Sequence, residues 1–311
     1  MLLPARWNWA SIARWIAPWM VTFGVAFIGD QLTHQAYSSF WGSAAIVIGM
    51  LWSFPGLRAW SLAAMTYGGV WISFNLLRAL ASSENWAIVR PSLIGHLDDQ
   101  LLGGAVTSQR MQAWWFARSG LSPLDVALTL VHLSFFVVPF LIALLLWVQQ
   151  RRAFWRLVLA TACCFALSLA GFFLMPTTPP WMAHPDTVSR IPHLVLVDAG
   201  LLRDGAGSAY GFEPNALAAF PSVHVAATVL VLMAMWTNAG RWRGARSIQC
   251  ASLLYALAMS FGVVYLGEHY LLDVLGGWLV ASAGWVFSGW ILTDRQRAGW
   301  MKRPRFHRGR Y

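Results

Sequence analysis

Residues 249–292 read QCASLLYALAMSFGVVYLGEHYLLDVLGGWLVASAGWVFSGWIL. Two apolar runs, about 249–266 and 270–292, flank the break Gly267-Glu268-His269. A transmembrane helix needs about 20 apolar residues. Each run is long enough to cross a bilayer, and the break has room only for a tight turn. Working outward, six more apolar segments lie at about 15–29, 39–54, 59–77, 124–148, 155–175 and 221–237. The first two are short or interrupted by Gly. The fold expected is all-α, a polytopic membrane helix bundle of six clear spans and about two extra N-terminal ones.

Composition agrees. Hydrophobic residues make up 58% of the 311 residues and charged residues 11%, against roughly a quarter charged in ordinary soluble domains. A disordered chain and a soluble globular enzyme are excluded. The net charge of +10 comes from 21 Arg and a single Lys, Lys302. Nucleic acid is not the reading, because the positive charge sits between apolar segments, where orientation in a bilayer explains it. Three Cys give no disulfide framework and read as small packing residues. Arg6 and Arg14 precede the apolar stretch Ile16–Ile28, as in a signal peptide. No cleavage site follows closely, so an uncleaved first span is expected.

The charges also orient the bundle. With the N-terminus in the cytoplasm and the segments alternating, 16 basic residues fall inside and 6 outside. Asp294 is the one acidic residue inside, against 11 outside. The positive-inside rule rests on Lys and Arg and supports this orientation. The multi-pass chain is then expected in a plasma or inner membrane with both termini cytoplasmic. The domains read as N-terminal spans over 1–58, a membrane domain over 59–292 and a basic cytoplasmic tail over 293–311.

Two outer loops are long. Within 78–123, Thr107–Arg118 (TSQRMQAWWFAR) sets Trp114, Trp115 and Phe116 beside Arg110 and Arg118. It reads either as a helix in the membrane interface or as one packed on the bundle. The second loop, 176–220, is rich in Pro and Gly. It opens with Met175-Pro176-Thr177-Thr178-Pro179-Pro180-Trp181, where the prolines must end the helix. That is either a stiff turn beside a site or simply a span terminator.

Ionisable groups in membrane segments are costly and usually have a role. His269 and Asp273 are spaced i, i+4, so a helix would put both on one face. A carboxylate there accepts from one imidazole nitrogen and leaves the other with an outward lone pair, as a His nucleophile requires. The plainer reading is a capping or interfacial pair. His224 lies in Phe220-Pro221-Ser222-Val223-His224, where Pro marks a helix start. Free N–H groups and the dipole make such an end an anion site, and Ser222 adds a hydroxyl. Both motifs open helices that run from outside to inside, so the two His and the Asp share one depth. That set suits phosphoryl transfer, with one His attacking phosphorus and the other protonating the leaving oxygen. There is no Cys cluster and no H-E-x-x-H, and no motif calls for a metal or a cofactor.

Over about residues 59–292 the chain resembles the phosphatidic acid phosphatase type 2 superfamily. Pro221-Ser222-Val223-His224 resembles that family's second motif, and His269 with Asp273 the end of its third. The resemblance implies that His269 becomes a phosphohistidine, Asp273 orients it and His224 is the general acid. The family's first motif, Lys-x6-Arg-Pro, is absent after the fifth span. Arg90-Pro91 matches only in part, since Ser83 takes the Lys position and the pair precedes the fourth span. Gly262-Val263 stands where the third motif opens with Ser-Arg. The Pro-Pro turn, Glu268-His269-Tyr270 and Ala218–Ser222 resemble the branch that includes inositol phosphorylceramide synthases, an inositolphosphotransferase-like group.

Other cations must then neutralise the phosphate. The candidates are Arg90, Arg190 and Arg203 with Ser222, and beyond them Arg110, Arg118, His184 and His193. The expected function is a membrane enzyme that cleaves or transfers the phosphate ester of a lipid phosphate or phospholipid at the extracytoplasmic face. Two alternatives are a proton-coupled transporter and an inactive protein of the same fold. A transporter predicts mid-membrane ionisable groups on broken, repeated helices. Retention of His224, His269 and Asp273 together argues against an inactive protein.

Overall fold

The computed structural model describes residues 58–80, 93–102, 106–116, 120–201 and 217–297. The chain forms two compact units, 1–76 and 77–311. The expected spans at 15–29 and 39–54 and the tail beyond 297 lie outside the described residues.

Most of the described residues are helical. In chain order the helices are α1 (Arg58–Leu80), α2 (Leu93–Leu102), α3 (Thr107–Trp114), α4 (Pro123–Leu133), α5 (Val138–Gln149) and α6 (Arg151–Leu174). There follow α7 (Pro180–Ala183), α8 (Ile191–Asp198), α9 (Val223–Asn238), α10 (Ala245–Tyr265) and α11 (Leu271–Arg297). Among the described residues four helical stretches are long and apolar enough to cross a membrane: Arg151–Leu174, Val223–Arg241, Ala245–Tyr265 and Leu271–Leu292. They coincide with the last four segments read from the sequence. This is an all-α, polytopic membrane bundle.

The segment at 124–148 is not one straight helix. It is α4, a 3-10 turn at Ser134–Phe136 and α5, bent by 49°. Pro139 lies in the first turn of α5. It has no N–H to give the carbonyl four residues back, so α4 cannot continue through it. The segment at 59–77 is α1, whose 23 residues are enough to cross. Thr66, Tyr67, the glycines 68 and 69 and Asn75 leave it less apolar than the four spans above.

At the centre of the second unit α9 packs against α6, α10 and α11, while α11 runs along α6. Val225, Ala226, Val229 and Ala234 of α9 are fully buried. Lipid tails are as apolar as these side chains, so such helices associate through close packing of small residues. Gly277 of α11 is one such contact: a Cβ there would lie 2.5 Å from the Ser222 carbonyl oxygen. The absence of a side chain lets the N-termini of α9 and α11 approach, and these two ends carry the site.

Candidate active site

His224 lies in the first turn of α9. Ser222 is its N-cap, and the Ser222 Oγ accepts from the Val225 N–H at 3.4 Å. The Ser222 N–H donates to the Asp273 carbonyl at 2.9 Å, tying the start of α9 to the start of α11. Ser222 is fully buried, and capping is the work its hydroxyl does here. The peptide Phe220–Pro221 before it is cis.

His269 and Asp273 meet, although not as two residues one turn apart on a helix. α11 begins at Leu271, so His269 stands in the link from α10. Asp273 lies in the first turn of α11, and its Oδ2 accepts from the Tyr270 N–H at 2.9 Å, the back-bond of a capping box. The same Oδ2 lies 3.3 Å from His269 Nδ1. His269 Nε2 in turn lies 3.2 Å from His224 Nδ1. Asp273 is fully buried and His269 nearly so. A carboxylate only accepts, which puts the His269 proton on Nδ1 and a lone pair on Nε2. His224 Nδ1 must then be the donor of the 3.2 Å contact. The result is a row in which His224 donates to His269 and His269 donates to Asp273.

The link itself is held from several sides. Gly267 has φ +83°, and a Cβ there would come 2.6 Å from the Ser189 carbonyl oxygen, so only Gly fits. Its carbonyl accepts from the Trp181 N–H at 3.1 Å. Glu268 pairs with Arg190, Nε to Oε1 at 2.8 Å, and the Arg190 guanidinium lies 4.5 Å from the centre of the Trp181 ring. Burial pushes the Glu268 carboxyl up, but the charge and hydrogen bond of Arg190, together with His132 and His269, outweigh it and hold it below its ordinary value.

A pocket opens on the pair, with walls that include Arg78, Phe135, Pro179, Trp181, His224 and His269. The proline-rich turn is part of the wall. Thr177 pairs with residues 217–219, its N–H donating to the Leu217 carbonyl and its carbonyl accepting from Ala219. That bridge binds the end of α6 to the segment that leads into α9.

The expected residues fall into three groups. His224, His269 and Asp273 come together, and Arg190 stands one side chain away through Glu268. Ser222 is adjacent, as a cap. Arg90 and Arg203 lie outside the described residues, as does Arg118. Neither His184 nor His193 lines the pocket.

The structure adds two residues that sequence reasoning passed over. Arg78 lines the pocket; the sequence reading gave it no role. His132 of α4 packs against His224 with the rings tilted by 40° and their centres 4.5 Å apart, and Phe135 packs against it at 4.4 Å and 52°. Both His132 nitrogens are buried and make no hydrogen bond among the described residues. The spacing of His132 and Phe135, i and i+3, was visible in the sequence; that they clasp His224 was not.

With this geometry in hand, comparison with known proteins decides the family. Residues 99–287 match the PAP2 superfamily, whose name abbreviates phosphatidic acid phosphatase type 2. The chain belongs to the PAP2 superfamily. Among its relatives is the phosphoinositol dihydroceramide synthase of Bacteroides thetaiotaomicron, 26% identical over 255 residues that cover 75% of this chain and 79% of that protein. No solved structure matches. As a PAP2 member with a synthase among its relatives, the chain is an integral membrane enzyme, a lipid phosphatase or phosphotransferase. The matched region contains the whole row from His224 to Asp273.

Proposed function

We propose that this enzyme transfers a phospho-headgroup of the inositol phosphate kind from a glycerophospholipid to the hydroxyl of a ceramide-like lipid, releasing diacylglycerol. The row His224–His269–Asp273, with contacts of 3.2 and 3.3 Å at one pocket, carries the reading. The name of the Bacteroides relative supports the choice of headgroup and acceptor.

In the first half-reaction the His269 Nε2 lone pair attacks phosphorus. The bond from phosphorus to the donor's glycerol oxygen breaks, and that oxygen takes a proton from His224. For this step His224 enters as the imidazolium, which a bound phosphate anion stabilises. The substrate displaces the 3.2 Å contact, since His269 cannot both accept from His224 and attack. Asp273 holds the proton on Nδ1 and offsets the positive charge of the phosphorylated ring. In the second half-reaction the acceptor oxygen attacks phosphorus, the P–N bond breaks and the acceptor proton passes to His224. Diacylglycerol and a headgroup-bearing lipid leave. With water as acceptor the same steps hydrolyse the donor and release the headgroup phosphate; inorganic phosphate would form only from a lipid phosphate monoester.

Arg78 and Arg190 supply positive charge near the phosphate, with Arg90 and Arg203 as further contacts, while Ser222 acts through the cap of α9. The catalytic membrane domain spans 59–292 behind N-terminal spans in 1–58 and ahead of a basic tail in 293–311. The excess of basic residues on one side, 16 to 6, supports cytoplasmic termini and a site on the extracytoplasmic face.

The test is turnover by purified enzyme on phosphatidylinositol and other phospholipids, with and without ceramide. A new headgroup-bearing lipid formed only with acceptor supports transfer. Free headgroup phosphate released at the same rate with or without acceptor overturns it in favour of hydrolysis.

A further inference from the structure

One short helix outside the spans, α3, is bonded to the link that bears His269. Gln112 of α3 is 3% exposed. Its Nε2 donates to the Tyr265 and Ser189 carbonyls, each at 2.8 Å, and its Oε1 accepts from the Ser189 N–H at 2.8 Å. These bonds tie the end of α10 to the Ser189 segment that packs on Gly267, from 77 and 153 residues away in sequence. Ser108, one turn earlier, donates to the His269 carbonyl at 3.4 Å. Asp98 of α2 holds the start of α3 through the Thr107 N–H and hydroxyl. Its other oxygen accepts from the Leu272 N–H at 3.3 Å.

The C-terminal end of the same helix is aromatic and open. Trp114 is 64% exposed and Trp115 45%. Trp115 packs edge-on against Phe261 and Tyr265, ring centres 5.8 and 6.1 Å away. Tyr265 is the last residue of a membrane-crossing helix. Trp114 and Trp115 are therefore level with the end of that span, the depth at which Trp concentrates in membrane proteins.

We infer that α3 is an interfacial strut: Trp114 and Trp115 rest in the lipid headgroup layer beside the site, and Gln112 passes that anchorage to the link bearing His269. Gln112 is thus a positioning residue, acting through backbone and touching no substrate. Misplacement of a reacting group by about 1 Å can cost on the order of a hundredfold in rate. A helix fixed by both lipid and link keeps His269 at its distance from the phosphorus of a membrane-bound substrate. The inference rests on the proposed role of His269.

Two measurements test it, both on the full chain in lipid nanodiscs. The first compares wild type, Gln112→Leu and His269→Ala on phospholipid substrate. Gln112→Leu is expected to lower kcat about tenfold or more, with KM within about twofold and the thermal midpoint within a few degrees. Unchanged kcat, or a loss of kcat that only follows a lowered midpoint, overturns the positioning role. Activity in His269→Ala refutes the proposed mechanism instead and separates the two failures. The second uses a phospholipid with a photoreactive group just below the headgroup. Trypsin cuts after Arg110 and Arg118, so Met111–Arg118 carries both Trp in one peptide. Crosslinks on that peptide are expected; their absence while peptides from the spans are labelled refutes the interfacial placement.

Discussion

Replacing Asp273 by Asn separates two functions of one carboxylate. In the protein a single oxygen, Oδ2, takes both contacts, the Tyr270 N–H at 2.9 Å and His269 Nδ1 at 3.3 Å, while Oδ1 makes no hydrogen bond among the described residues. An Asn can present its oxygen or its NH2 at that place. The NH2 would face the Tyr270 N–H, donor against donor, and would also force His269 to carry its proton on Nε2. The Tyr270 N–H cannot turn away, because it belongs to the start of α11. The oxygen therefore stays, the His269 tautomer is kept, and only the negative charge is lost. Hydrogen bonds to charged groups contribute about 1.5–3 kcal/mol and neutral ones about 0.5–1.5. The difference of about 1–2 kcal/mol corresponds to a fall in kcat of about 5- to 30-fold. The assay is kcat at saturating phospholipid, with the thermal midpoint measured on the same sample. A loss near 10,000-fold at an unchanged midpoint, the size expected of a wrong tautomer, refutes the argument from Tyr270. No loss refutes a role for the charge.

Three further outcomes are expected. His224→Ala slows donors with poor leaving groups far more than donors with activated ones, because an activated leaving oxygen needs no proton; a steeper dependence of kcat on leaving-group pKa checks this. Gly267→Ala strains a residue at φ +83° and drives a Cβ to 2.6 Å from the Ser189 carbonyl, so it destabilises by about 1–3 kcal/mol, read as a lowered thermal midpoint. Glu268→Gln removes the partner of Arg190. The folded carboxyl titrates below its ordinary value of 4.5, so the pair contributes its full stability above about pH 4.5 and loses it as pH falls through the lower folded value. The gap in stability between wild type and Glu268→Gln is therefore constant near neutrality and narrows only below about pH 4.5.

Much of the bundle was legible because runs of apolar residues between basic loops have few other uses. The break within 124–148 was legible too, in Pro139, but apolarity outweighed it in the reading. His224, His269 and Asp273 stood out as polar groups in apolar surroundings. Their spacing suggested a shared helix face for His269 and Asp273; the contact forms instead through the capping of α11, a consequence of where that helix starts. What holds them was not legible. Gln112 reaches carbonyls 77 and 153 residues away, and Asp98 an N–H 174 residues away. Such backbone contacts leave no periodicity or motif in the sequence. His132 was hidden differently, as one His in an apolar helix whose partner is set by the packing of α4 against the bundle.

The central claim is that phosphorus passes through His269. The direct measurement mixes enzyme with phospholipid labelled at the phosphorus, quenches within one turnover under alkaline conditions and maps the label by peptide. The account predicts label on the peptide that contains His269 in the wild type, loss of the label when acceptor lipid is added before the quench, and neither label nor turnover in His269→Ala. Turnover by His269→Ala at the wild-type rate, or label on another residue, would contradict it.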